Sequence, residues 1–505
     1  MTTTLGAHGH DTVPAERAPR PWAGWLLLAA AGLVTMLALP PWGWWPLAPV
    51  GLAVLYHWTG RAPSWQRRVG GAWLFWGTGN LLGLWWISEI TIPGYAVSVP
   101  LLALVTALPT VAVPPAGSWR PSAFPAAVVA GEAWRVVFPF GGAPMSGLAL
   151  GQLEAPWADA ARIGTHLLIV AVVCAVAVAG IEAAERHWVA AVGAGAFVVL
   201  AAVAGMVAPD GDRTGQITAA VVQGGGPLGT RAVDTPDEIV WERHVEATRL
   251  VTPEADLVLW PETVDDVDRP LETSDRVAEL GMLATELDAT FAVGLNELEG
   301  DIRLNVLVAV GPDGTLVDRY DKVHLVPFGE YVPLRSFVDR FADLSVIGTE
   351  IEPGKGQALL VTPAGPLAPA ISFEIYFHDR VREGVQLGAE LVVNSTLASS
   401  YTTSLIAEQT LASGRLRAIE TGRWVLQAST TGYSAVIDHR GDVVDRTGLR
   451  EQAVLELPVD RRRGETWAVR FGQWPITVVA LVLLSAPWVG PAVRATRSRL
   501  AAQPT

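Results

Sequence analysis

The chain has 505 residues, half of them hydrophobic and only 17% charged, with 21 tryptophans. That is too long for one simple core and too apolar, taken whole, for an ordinary soluble protein. Residues 209–470 hold 42 of the 50 acidic and 24 of the 36 basic side chains, a net charge of −18, whereas the remainder is near +4. An acidic segment repels phosphates, which argues against nucleic-acid binding, and a single cysteine, Cys174, excludes a disulfide framework or a cysteine metal site.

Taken in chain order, apolar runs of roughly the ~20 residues a bilayer requires fall at 22–40, 45–60, 70–90, 94–115, 121–139, 161–183, 188–208 and 473–491. The first two are short or interrupted by Pro40, Pro41 and Pro46, and one re-entrant hairpin is the alternative to two spans. Arginine placement sets an orientation. With a cytoplasmic N-terminus, the inside segments carry Arg17 and Arg20, Arg61, Arg67 and Arg68, Arg120, Arg186, then Arg494, Arg497 and Arg499. The alternate loops at 41–44, 91–93 and 140–160 carry no arginine or lysine. This positive-inside pattern, with Arg162 as a mild exception, predicts a polar cytoplasmic start (1–21), seven spans (22–208), an extracytoplasmic domain (209–470), a last span (473–491) and a cytoplasmic tail (492–505). The first apolar run lacks a small-residue cleavage site, so it reads as a retained helix and not as a removed signal peptide.

Within 209–470 the pattern changes to short β-branched runs, among them Ile217–Gln223, Leu257–Trp260, Phe291–Leu295, Val306–Val310, Leu367–Ile371, Leu391–Asn394 and Trp424–Ala428. They alternate with amphipathic stretches at Asp237–Leu250, Ser274–Leu287 and Ser404–Thr421. Strands alternating with helices predict an α/β layered domain, and Gly311-Pro-Asp-Gly314 and His439-Arg-Gly-Asp442 predict turns between paired strands.

Three stretches carry chemistry. Leu259-Trp-Pro-Glu262-Thr places a carboxylate at the end of a buried strand. Tyr320-Asp-Lys322-Val-His-Leu-Val-Pro-Phe-Gly-Glu330-Tyr-Val-Pro supplies one of only two lysines in the chain, the other being Lys355. Ala370-Ile-Ser372-Phe-Glu374 ends an apolar strand on a hydroxyl. A carboxylate, an ammonium and a nucleophile at strand ends suit acyl transfer: the first takes the nucleophile's proton, the second steadies the oxyanion and the third holds the acyl group. Taken singly, each has a plainer reading. A strand-end carboxylate is usually solvated or paired, and a strand serine is usually a buried hydrogen-bonding group. His324, two residues from Lys322, reads as structural, and Glu132 with Arg135 as a helical ion pair near the outer interface or a functional pair. Trp42, Trp44, Trp45, Trp85, Trp86 and Trp474 read as an interface belt.

Together the three stretches resemble the nitrilase superfamily, which uses a Glu–Lys–Cys triad on a four-layer αββα sandwich. The long lysine motif, Arg415-Leu-Arg-Ala-Ile-Glu-Thr-Gly-Arg423, Thr431-Gly-Tyr-Ser-Ala-Val-Ile-Asp438, and in the membrane half Gly131-Glu132-Ala-Trp-Arg135 and Phe138-Pro-Phe-Gly, resemble the bacterial apolipoprotein N-acyltransferase family. The resemblance implies a polytopic α-helical base of about eight helices in the plasma membrane, plus the sandwich domain, with no metal and no organic cofactor. It implies Glu262 as general base, Lys322 as oxyanion partner, Glu330 as a second glutamate that positions the chemistry, Glu374 as the glutamate after the nucleophile and Asn305 as a pocket asparagine. It also implies a phospholipid acyl donor and a diacylglyceryl lipoprotein acceptor, with an acyl-enzyme between them.

Ser372 stands where that family keeps cysteine, and Cys174, inside an apolar run, cannot replace it. A thiol titrates near pH ~8.5 and is partly thiolate at neutral pH, whereas an alcohol must lose its proton during attack. Asn394-Ser-Thr-Leu stands where Asn-Asp-Ala-Trp is usual, and Thr410 where histidine follows the glutamine. Besides an oxyester-forming acyltransferase, the sequence therefore leaves open a weak or inactive paralogue that partners another acyltransferase, and a membrane-anchored amidase-type hydrolase.

Overall fold

A computed structural model describes residues 21–229, 235–268, 270–300, 302–338, 340, 350–401 and 403–501. Residues 1–20 of the polar start and the final residues of the tail, 502–505, lie outside the described residues. Each of the eight apolar runs contains a helix: α1 Pro21–Met36, α2 Leu47–Arg61, α3 Trp65–Gly83, α4 Ile92–Ala107, α5 Arg120–Arg135, α6 Ala161–Ala184, α7 Trp188–Val207 and a final helix, Trp474–Ala501. Among the described residues, three stretches are long and apolar enough to cross a membrane, Ile92–Ala112, Ala158–Ala184 and Trp188–Val207, while Trp22–Met36 and Trp474–Val489 are apolar but shorter. The other runs fall short for visible reasons. A 15-residue helix such as α2 reaches about 22 Å, and α3 and α5 carry Arg67, Arg68, Arg120, Glu132 and Arg135. Residues of α1, α2, α3, α5 and α6 share one apolar core, which also encloses Cys174.

The segment after α7 folds as two stacked sheets. The first joins β1 Asp212–Gln223, β2 Leu257–Leu259, β3 Asp266–Asp268, β4 Thr290–Glu299, β5 Ile302–Val310, β6 Leu316–Asp321 and β13 Ala453–Arg463, in the order β13-β1-β2-β4-β5-β6 with β3 beside β4. The second joins β7 Leu360–Thr362, β8 Gly365–Ile371, β9 Leu391–Thr396, β10 Val425–Ser429, β11 Ala435–Ile437 and β12 Val443–Arg446, in the order β12-β11-β10-β9-β8-β7. Side chains alternate between the faces of a strand, and the two-residue period is visible in the packing. Ala219, Val221, Leu257 and Leu259 meet Leu367, Ile371, Leu391, Val393, Leu426 and Ala428 between the sheets. Their neighbours Ala220, Val222, Val258 and Trp260 point outward against α8 Asp237–Thr248 and α9 Asp275–Leu287. On the opposite side, Ala368, Ala370, Val392 and Val425 pack under α10 Asp379–Gln386 and α11 Leu405–Thr421. The layers therefore run α, β, β, α.

The predicted strands and helices of this domain all form, and both predicted turns join antiparallel neighbours, β5 to β6 and β11 to β12. Sequence reading did not pick out β3, β6, β7, β11, β12 or β13: β3, β7 and β12 are short edge pieces, whereas β13 is an eleven-residue strand along the edge of the first sheet. Trp86 departs from the interface-belt reading. It is buried and sets its ring edge-on to Tyr401 of the sandwich domain, with centroids 5.7 Å apart. Trp44, Trp85 and Trp474 are exposed.

Candidate active site

Parallel strands place their carboxyl ends along one edge, where ligand sites of α/β proteins gather. Glu262 follows β2, Lys322 directly follows β6 and Ser372 directly follows β8. Trp260 and Pro261 carry the chain away from β2, and Gly294 in the neighbouring β4 lets it pass. A Cβ on Gly294 would stand 2.4 Å from the Pro261 oxygen, 2.6 Å from Glu262 Cα and 2.7 Å from Ser395 Oγ. A glycine inside a strand signals such a close approach; that signal was present in Val293-Gly-Leu295 and sequence reading passed over it.

Glu262, Lys322 and Glu330 form a buried ionic cluster. Lys322 Nζ donates to Glu262 Oε1 at 2.8 Å and to Glu330 Oε1 at 2.5 Å. Asn305 Nδ2 donates to the same Glu262 oxygen at 2.8 Å, and the Asn305 carbonyl accepts from the Lys322 backbone at 2.9 Å. Glu330 is fixed at its other oxygen by the Val326 N–H, at 2.8 Å. Lys322 is only 1% exposed and Glu262 4%. Burial alone pushes the ammonium down, but the Glu262 and Glu330 charges outweigh it and hold Lys322 above the ordinary lysine value. Burial and the Glu262 charge push the Glu330 carboxyl up, against the pull of Lys322. Lys322 follows the strand's last residue, so His324 does not share a strand face with it. His324 instead contacts Asp379 at 2.9 Å and stacks on Phe377 with ring centroids 4.2 Å apart, in line with a structural role.

Ser372 opens a short 3₁₀ turn at the end of β8, with φ = 53°. A non-glycine residue in the left-handed region is strained, and such residues gather at functional sites. The turn is held from both sides by Glu374, whose carboxylate is fully buried. Its Oε2 accepts from the Ile371 N–H at 2.9 Å. Its Oε1 accepts from Val323 N (2.8 Å), His324 N (3.0 Å) and the Tyr320 hydroxyl (2.8 Å). One side chain thus ties the residue before Ser372 to the two residues after Lys322. On the other flank β8 and β9 pair with Ile371 opposite Ser395, and Ser395 Oγ donates to the Trp260 carbonyl at 3.3 Å. Ser372 therefore stands between the loop of Glu262 and the loop of Lys322, and like Glu330 it is partly accessible, whereas Lys322 and Glu262 are buried.

Apolar side chains flank the turn. Phe373, Phe377, Leu405 and Ile406 pack with Trp86 and Met145 from the helical half. Tyr401 borders the ionic cluster: burial raises its hydroxyl, and the Glu262 and Glu330 charges raise it further. Cys174 stays in the helical core. Glu132 and Arg135 form a buried ion pair at 3.2 Å, and Arg135 also donates to the carbonyls of Ala143 and Met145, so the pair pins the loop leaving α5. Among the described residues no cluster of histidine, cysteine, aspartate or glutamate suited to a metal ion is found.

A four-layer αββα sandwich with a glutamate–lysine–hydroxyl group at its strand ends defines a nitrilase-type domain, and the "Carbon-nitrogen hydrolase" family model matches residues 218–469. The "Apolipoprotein N-acyltransferase N-terminal domain" model matches residues 31–179. The apolipoprotein N-acyltransferase of Azotobacter vinelandii is 30% identical over 526 residues, covering 94% of this chain and 98% of that protein. That of Photobacterium profundum is 25% identical over 494 residues, covering 91% and 93%. That of Synechocystis is 32% identical over 257 residues, covering 49% of this chain and 48% of that protein. The chain belongs to the apolipoprotein N-acyltransferase family.

Proposed function

We propose that this protein transfers an acyl chain from a phospholipid to the N-terminal amine of a diacylglyceryl-modified lipoprotein, through an oxyester on Ser372. The observation that carries the reading is the Glu262–Lys322–Glu330 cluster at 2.8 and 2.5 Å, beside a serine held at φ = 53°, in a chain that matches both family models along its length.

In the first step Glu262 takes the Ser372 proton as Oγ attacks the phospholipid ester carbonyl. Lys322 offsets the negative charge that develops on the carbonyl oxygen. The bond to the glycerol oxygen breaks, Glu262 returns the proton to that oxygen, and lysophospholipid leaves. In the second step the acceptor amine attacks the oxyester and Glu262 takes its proton; the C–Oγ bond breaks and the proton returns to Ser372. Glu330 keeps Lys322 charged and fixed, Asn305 orients Glu262, and Glu374 holds the Ser372 turn. These steps require no metal or organic cofactor.

Both substrates are lipids, and the apolar side chains beside Ser372 continue into the helical half, which favours acyl transfer over hydrolysis of a small soluble amide. We further infer that all eight helices cross a bacterial plasma membrane, with residues 209–470 outside the cytoplasm. The helices shorter than the bilayer would be flanked by the exposed Trp44 and Trp85 at the interface, where tryptophan anchors.

The test is intact-protein mass spectrometry of the purified enzyme in phospholipid micelles. An added acyl mass on Ser372, released lysophospholipid, and discharge by a diacylated lipopeptide are expected. No acyl mass, or unchanged turnover in Ser372→Ala, would refute the reading and favour a non-catalytic partner of another acyltransferase, the alternative that serine at this position keeps open.

A further inference from the structure

We propose that Thr396 is a positioning residue for the acyl-transfer reaction: its hydroxyl holds the Ser372 oxygen as attacking group and assists its departure as leaving group. The inference rests on the oxyester reading above. It starts from register. Strands β8 and β9 are parallel with Ile371 opposite Ser395, so the next residue of each, Ser372 and Thr396, meet at the carboxyl edge of the sheet. Thr396 is the last residue of β9, is 4% exposed, and pairs with Ser429 of β10 on its other side. Its carbonyl also accepts from the Thr430 N–H at 3.3 Å. A β-branched side chain on a strand fixed at both edges has little χ1 freedom. Its Oγ1 donates to Ser372 Oγ at 3.4 Å and makes no other hydrogen bond among the described residues.

A donor at that point has two effects. It occupies one lone pair of Ser372 Oγ, which leaves the serine's own O–H free to turn toward Glu262. It also stays in place after acylation, when Oγ is the bridging oxygen of the ester. In the second step the C–Oγ bond breaks and negative charge collects on Oγ before the proton arrives. An alkoxide needs that support far more than a thiolate, whose conjugate acid titrates near ~8.5. Long hydrogen bonds in a free enzyme tighten as charge develops, so a 3.4 Å contact suits the role. Thr396 acts through Ser372 and touches no substrate.

The test compares Thr396→Val, which keeps the shape without the donor, and Thr396→Ser, which keeps the donor, in the native and Ser372→Cys backgrounds. Turnover, KM and the steady-state acyl-enzyme fraction are read by mass spectrometry with phospholipid and a diacylated lipopeptide. In the native background Thr396→Val should slow turnover by about two- to tenfold, the range for one neutral hydrogen bond. It should also raise the acyl-enzyme fraction and lower the phospholipid KM, as a slowed second step requires, and Thr396→Ser should restore turnover. With Ser372→Cys the valine effect should shrink below about twofold. Equal losses in both backgrounds, or Thr396→Ser as slow as Thr396→Val, would overturn the proposal; the valine–serine comparison decides it if the cysteine variant does not fold. Absence of any acyl-enzyme in the native protein would overturn the oxyester reading itself, which is a distinguishable result.

Discussion

Replacing Glu374 by glutamine tests whether one buried carboxylate sets the geometry of the Ser372 turn. Glutamine keeps the shape but has one acceptor oxygen. Three donors face Oε1, from Tyr320, Val323 and His324, and one faces Oε2, from Ile371. The side chain will orient its oxygen to the three, which sets its NH2 group against the Ile371 N–H. One buried hydrogen bond is lost, at about 1–3 kcal/mol, and three fall from charge-assisted to neutral strength, at about 1 kcal/mol each. Relief from burying a charge offsets part of this, leaving a loss of about 2–4 kcal/mol. The repelled amide belongs to the residue before Ser372, so the turn also shifts. A displacement near 1 Å lowers the rate by about a hundredfold, and acyl-enzyme formation should slow by about ten- to a hundredfold. Denaturant unfolding followed by tryptophan fluorescence gives the stability, and single-turnover acylation gives the rate. Glu465→Gln removes an ion pair to Arg470 at the surface and serves as control, expected within about 1 kcal/mol of the parent. If Glu374→Gln matches the parent in both measurements, the carboxylate does not hold the turn and the argument fails.

Three further outcomes follow from the same chemistry. His244 is fully buried, and burial lowers its pKa from 6.5 to about 4. The unfolded chain therefore binds the extra proton first, and stability should drop as pH falls from 6.5 toward 4. The loss reaches about 3 kcal/mol, and this acid limb should vanish in His244→Gln during urea titrations. The Glu330 carboxyl titrates above its ordinary 4.5, so acylation should fall with pH before that value is reached, as Lys322 loses one ionised partner. Glu330→Gln should sit on the acid plateau throughout, and a profile like the parent's would exclude Glu330 from holding the lysine. Gly294→Ala would drive a methyl into the backbone at Pro261 and Glu262, slowing acylation by at least about tenfold. Gly356→Ala, with open space around it, should leave the rate unchanged.

Much of this was legible because buried strands and strand ends have strict signatures. A strand packed on both faces needs apolar residues at every position, so Leu257–Leu259 and Leu391–Val393 could be read without partners. A charge just after such a run must be solvated or used, which singled out Glu262; Lys322, after the mixed strand β6, stood out instead as one of only two lysines and by the motif around it. What escaped is what depends on two segments at once. Nothing local in Glu374 says that its four donors come from two separate stretches of chain. Thr396 acquires meaning only from the β8–β9 register, which a single sequence does not fix. The short edge strands escaped because half their side chains face solvent and carry no apolar alternation.

The helix that joins the two halves argues against treating them as separable modules. Leu411 and Ala418 of α11 pack on the second sheet, while Ala412, Leu416 and Ile419 belong to the core of the helical half. Polar contacts repeat the bond at both ends. Gln409 accepts from Ser146 and donates to the Gly83 carbonyl at 3.1 Å. Glu420 accepts from the His166 N–H at 2.8 Å, where α6 kinks at Gly164 and Thr165, and from His378 and Arg417 at 2.8 and 3.0 Å. A helix buried on both sides has no face left for solvent, so removing either half would expose apolar surface and strand these buried polar groups. His378 lies six residues beyond Ser372, and Tyr376 between them bonds Thr410 of the same helix at 2.9 Å. The turn that carries Ser372 is thus braced against an element locked into the helical half. That arrangement fixes the position of Ser372 relative to the helical half.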